Sequence, residues 1–230
     1  MRATAVVFLL CSAAACGDDS STVDASLVAD LSVVPDLTVT GCAPRSVPGF
    51  APTFRPPTGA HQSKCTGSQV SSGVAAVLGG GATYATWASA NAGCAACIIT
   101  DSNAAMLGPL VFISTLGITD GNRDGCVALL TGDSSATSCG AKVQAQFDCS
   151  IASCHPGCPI TDAASLGAFN TCSVQSFAAA APCGSYVAPS NTCVMTAAGT
   201  TAGAAIGGCF LGSQGVSQWF TDLATFFCGA

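Results

Sequence analysis

The chain's capacity for chemistry lies in its sixteen cysteines and a few clustered polar residues. Cys94-Ala-Ala-Cys97 has the C-x-x-C spacing of thiol-disulfide oxidoreductases, in which a helix N-terminus lowers the pKa of the first thiol. It lacks the aromatic, Gly/Pro and His residues that frame such redox pairs, and no βαβ pattern surrounds it, so structural bridges are expected. Cys149, Cys154, His155 and Cys158 form C-x4-C-H-x2-C, a set zinc could take tetrahedrally. Adjacent Cys154 and His155 would project in different directions. In an oxidising compartment paired thiols outcompete metal, so disulfides are expected there too.

Asp120-Gly-Asn122-Arg-Asp124-Gly125 matches the first half of an EF-hand-like loop, with oxygens at positions 1, 3 and 5, Gly at 6 and Val127 at 8. This admits calcium at Asp120, Asn122 and Asp124. Position 12, however, is Thr131 rather than a bidentate Glu, and Asp, Asn and Gly favour a plain polar turn without any ion. No other cofactor is expected. Gly132-Asp133-Ser134 has the Gly-Asp-Ser order found around hydrolase nucleophiles, but no G-x-S-x-G elbow is present and only His61 and His155 could act as base. Tyr84 and Trp87, at i and i+3, could stack on a sugar; two aromatics on one helical face more often belong to a core.

These residues must be positioned by elements poor in large side chains. Half of the chain is apolar but only 8% is charged, and the apolar share is mostly Ala, Val and Cys. Small side chains bury little area, so covalent constraint is expected to supplement the core. Val70, Val74, Val77 and Leu78 share a helical face, and residues 84–99, 103–116, 136–153, 163–180 and 216–227 carry the same periodicity. Pro109, Pro156, Pro182 and Pro189 break or bound these segments, and residues 110–113 could instead be a strand. The uncharged run 194–212, with Gly199, Gly203 and Gly207, reads as a soluble helix or small-residue packing face rather than a membrane span. The expected fold is therefore mostly α: a small Ala/Gly-rich helical domain over residues 42–230, entered by a Pro- and Gly-rich lead-in.

The first 41 residues read differently. Arg2, the apolar run 5–10 and Ala13-Ala14-Ala15 make a signal peptide over residues 1–15, ending at Cys16. Residues 16–41 follow as a lipidated Cys16 and an acidic tether in which Asp24, Asp30 and Asp36 recur without a basic residue, a flexible spacer by composition. Acylating Cys16 leaves fourteen cysteines, an even number suited to seven bridges: Cys42, Cys65, Cys94, Cys97, Cys126, Cys139, Cys149, Cys154, Cys158, Cys172, Cys183, Cys193, Cys209 and Cys228. Glu is absent, which thins the supply of acid/base catalysts. No basic residue follows Lys142, which argues against nucleic acid as a partner.

The small-residue run before Cys16 resembles a bacterial lipobox. Together with the Asp-Leu-Ser-Val-Val-Pro-Asp-Leu tether and the Cys-rich body, it resembles uncharacterised Cys-rich lipoproteins of myxobacterial type, a family that offers no activity to carry over. The resemblance implies a diderm envelope and, with Gly17 after Cys16, the outer membrane. The expected function is a non-enzymatic binding, adhesion or structural module, held to the membrane by acyl chains and meeting an envelope polymer or another exported protein. The alternatives are an exported redox protein using Cys94 and Cys97, or a secreted hydrolase.

Overall fold

A computed structural model of the chain describes residues 5–6, 42–200 and 203–230; Cys16 and the tether lie outside the described residues. The domain is mostly helical and cross-linked by seven disulfides. Its order is α1 (Gly67–Leu78), α2 (Gly81–Ala90), α3 (Ala92–Ile98), β2 (Ile99–Asp101), β3 (Leu110–Ile113), β4 (Ile118–Gly121), α4 (Arg123–Thr131), α5 (Cys139–Cys154), α6 (Ala163–Ser176), α7 (Gly184–Ala198), α8 (Gly203–Ile206), a 3-10 turn (Gly207–Cys209) and α9 (Val216–Cys228). β3 pairs parallel with β2 and antiparallel with β4, and a two-residue strand β1 (Ala5–Val6) lies parallel to β4.

The helices begin where side chains can satisfy free backbone N–H groups. Thr66 accepts from the N–H of Gln69 and the Gln69 side chain accepts from that of Thr66, a reciprocal cap for α1. Ser138 caps α5 by accepting from the Ala141 N–H, and Asp162 caps α6 in a reciprocal pair with Ser165. One core cluster packs Val70, Val74, Ile98, Leu110 and Val127 against Phe220, Leu223 and Phe227 of α9. A second gathers Leu107, Val111, Ile113 and Ile118 with Leu166 and Phe169 of α6.

Several expectations are corrected. The pattern over residues 84–99 is two helices, broken at Asn91, whose amide donates to the Trp87 carbonyl (2.9 Å) and whose oxygen accepts from Gln69 (3.1 Å). A polar side chain bonding the local backbone in this way competes with helix propagation. Residues 103–116 are not helical: Gly108 and Pro109 interrupt them, and Leu110–Ile113 is the strand the alternative reading allowed. Pro189 lies inside α7 instead of ending it. The run 194–212 is divided among α7, α8 and the 3-10 turn, and among the described residues no helix is long and apolar enough to cross a membrane.

All fourteen cysteines of residues 42–230 are paired: Cys42–Cys158, Cys65–Cys94, Cys97–Cys228, Cys126–Cys209, Cys139–Cys193, Cys149–Cys183 and Cys154–Cys172. The first ties the lead-in to the turn that follows α5. The third closes a separation of 131 residues and joins α3 to α9. Non-reducing peptide mapping should recover these seven linkages with no alkylatable thiol in the domain. Removing the Cys97–Cys228 bridge with a double Cys→Ala substitution should lower stability by about 2–4 kcal/mol, measured by denaturant unfolding.

Candidate functional site: a cavity that gathers the domain's charges

Residues 42–230 hold only seven aspartates and five basic residues. Asp120, Asp124, Asp148 and Arg55 nevertheless line one cavity of about 270 Å³, with Arg123 against its wall. Three elements build it. From α5 come Gln144, Phe147, Asp148 and Ile151, which share a helical face at i, i+3, i+4 and i+7. The β4-to-α4 junction supplies Asp120, Asn122 and Asp124 from the opposite side. The floor is apolar, made by Leu107 together with Val111 and Ile113 of β3.

Asn122 fixes the junction. Its side-chain oxygen accepts from the Gly125 N–H (2.7 Å), capping α4, while its amide donates to the carbonyls of Leu107 (3.1 Å) and Gly108 (2.8 Å). A β-carbon on Gly125 would lie 2.5 Å from the Asn122 amide nitrogen, so the cap requires glycine there. Asp120 accepts from Arg123 and from the Gly121 N–H. The Arg123 guanidinium in turn lies 4.5 Å from the Phe147 ring centroid and 5.8 Å from that of Trp219, a cation-π setting that holds it at the cavity edge. On the far side Arg55 donates from its backbone N–H to Gln144 (2.9 Å) and from its side chain to the Ser102 carbonyl.

Asp124 is left over. It is 7% exposed, and its Oδ2 has no hydrogen-bond partner among the described residues. Burial, then the charge of Asp148, pushes its carboxyl up to about 7. Asp148 is pushed up by burial to about 6, with Arg55 opposing the shift. Burial also raises Asp120, against Arg123 and the Gly121 N–H. The cavity therefore holds two aspartates that take up protons near neutrality, beside a guanidinium and an apolar floor.

Asp120, Asn122 and Asp124 do line one cavity, but on a strand-to-helix junction rather than a loop or a turn. The Asn122 oxygen is spent on the helix cap and Asp120 on Arg123. Cys94 and Cys97 are bonded to Cys65 and Cys228 rather than to each other, so the C-x-x-C spacing serves two separate bridges. Cys149, Cys154 and Cys158 are each bonded to a different partner, and His155 caps the C-terminus of α5. Gly132 ends α4 in the left-handed region and Asp133 accepts from the Ser135 N–H (2.9 Å), so Gly-Asp-Ser is a helix-terminating turn on the surface. His61 is bound near the Ala230 carbonyl (3.2 Å). Tyr84 and Trp87 pack half-buried against the core, the hydroxyl donating to the Ala95 carbonyl and the indole N–H to Ser72.

Arg55, Gln144 and Asp148 belong to no motif in the sequence. A charge at Asp148 on the same helical face as Phe147 and Ile151 was the available signal. The chain matches no family model, no curated protein and no solved structure.

The two raised carboxyls bind protons in the folded state that a free aspartate, with a pKa near 3.9, has already released. Stability from this source is therefore fully present below about pH 4, falls as pH rises toward about 7, and is level above. The urea midpoint should follow that course. Asp124→Asn, which keeps the shape and removes the buried charge, should flatten the upper part of the curve and stabilise the protein at pH 8 by about 1–3 kcal/mol. An Asp124→Asn midpoint at pH 8 equal to that of the natural chain would mean that Asp124 is well solvated.

Proposed function

We propose that the protein is an exported lipoprotein, acylated at Cys16 and held at the outer membrane of a diderm envelope by the tether, whose disulfide-locked domain works as a non-enzymatic binding module. The observation that carries this reading is the complete pairing of the fourteen domain cysteines, which fits an exported protein. Bonding of Cys94 and Cys97 to separate partners supports a structural rather than a redox use of those thiols. Cleavage before Cys16 removes β1 and leaves β2, β3 and β4 as the mature sheet.

A cross-linked frame supplies a fixed shape, and a spacer of 25 residues gives it a reach of roughly 80 Å when extended. Because much of the domain's charge is turned into the cavity, an envelope polymer or exported protein meeting the outer surface would be recognised through polar and small apolar contacts with modest salt dependence.

Mass spectrometry of the mature N-terminus should find acyl chains on Cys16, and Cys16→Ala should move the protein from the membrane to the soluble fraction. Membrane association unchanged by that substitution would remove the anchor.

A further inference from the structure

From the charge balance, size and lining of the cavity between α4, α5 and β3, we infer that it is a binding site for a small primary amine, a single ammonium group on a short aliphatic body. This inference deepens the binding-module reading and rests on it. Of the charges present, Asp120 is ion-paired with Arg123, and the charge of Arg55 acts on Asp148. Asp124 alone remains, with its Oδ2 buried, lining the cavity and without a donor among the described residues. A buried acceptor in that state carries the desolvation cost of a missing hydrogen bond. One positive charge bearing N–H donors supplies both what the charge balance and what the oxygen lack.

The same observations select among cations. A divalent ion of the calcium type takes six to eight oxygens, yet among the described residues the one group of three acidic or thiol side chains within 4.8 Å is Cys42, Cys158 and Cys172, all disulfide-bonded. A guanidinium pairs best with both oxygens of a carboxylate. Of the two Asp124 oxygens it is Oδ2 that is buried without a partner among the described residues, and a point donor such as ammonium fits a single oxygen. The remaining lining also fits an alkyl chain: Leu107, Val111, Ile113, Phe147 and Ile151 line the same space of about 270 Å³ as the carboxylates. At about 30 Å³ for each water-sized unit, that space is on the order of nine such units, far more than an ion needs.

The test is a titration of the oxidised full-length chain with n-pentylammonium at pH 8, followed by amide chemical shifts. Saturable shifts should appear in the first turn of α4 and over residues 144–151, and isosteric pentan-1-ol should bind at least tenfold more weakly. Asp124→Asn should reduce pentylammonium affinity at least tenfold, whereas Asp133→Asn, an exposed acid, should not. Ala152→Leu fills the cavity from α5 without touching the carboxylate and should also abolish binding, so the inference does not hang on one variant's folding. Absence of localised shifts at millimolar amine, equal affinity in Asp124→Asn, or tighter binding of calcium at the same residues would overturn it. The last result would return the site to a metal. None of these outcomes bears on acylation of Cys16 or on membrane attachment, so failure of the amine site is distinguishable from failure of the lipoprotein reading.

Discussion

α4 and α5 meet at Gly140, where a β-carbon would sit 2.5 Å from the carbonyl oxygen of Asp124 and 2.7 Å from the β-carbon of Ala128. No side chain fits between the two helices there, and this close approach sets Asp124 and Asp148 on facing walls. Disulfides fix each of the two helices to its other neighbours. Cys126 ties α4 to the 3-10 turn, while Cys139, Cys149 and Cys154 tie α5 to α7, to the start of α7 and to α6. In a domain whose core is rich in Ala and Cys, burial alone contributes less per residue than in a Leu-rich one. Covalent closure limits the unfolded ensemble and so offsets the cost of keeping an unanswered carboxylate inside.

The distribution of charge follows from the same frame. A surface with few charges leaves little electrostatic field outside, whereas three carboxylates and two guanidiniums crowd around one interior volume. Burial raises the carboxyls until a proton, or a ligand cation, becomes the cheaper partner. Arg123, held between Phe147 and Trp219, binds this chemistry to both core clusters, since Trp219 belongs to the packing of α9 and its indole donates to the Cys209 carbonyl.

Much of the fold was legible where periodicity and capping agreed. The Val70, Val74 and Val77 face gave α1; the stretches around α5, α6 and α9 followed for the same reason, and even cysteine arithmetic anticipated full pairing. The β4-to-α4 junction was not legible. Asp-Gly-Asn-Arg-Asp-Gly has turn chemistry in isolation, and only Asn122 reaching Leu107 and Gly108, fifteen and fourteen residues back, converts it into a helix start. The cavity was hidden for a related reason: Arg55 meets Gln144 across a separation of 89 residues. Asp148 by itself is one acid on an otherwise ordinary helix. The motifs that looked chemical, C-x-x-C, Cys-His-x-x-Cys and Gly-Asp-Ser, are used for bridges and helix ends.

The most direct measurement is a carboxyl carbon NMR titration of the aspartates in the oxidised protein. Asp124 should titrate with a midpoint of about 7, above Asp148 at about 6, with the two curves coupled, while exposed Asp133 and Asp162 should titrate below the ordinary carboxylate range. Independent titration of Asp124 and Asp148 near 4, like free aspartate, would contradict this, because it would mean that the frame does not hold a desolvated acid between α4 and α5.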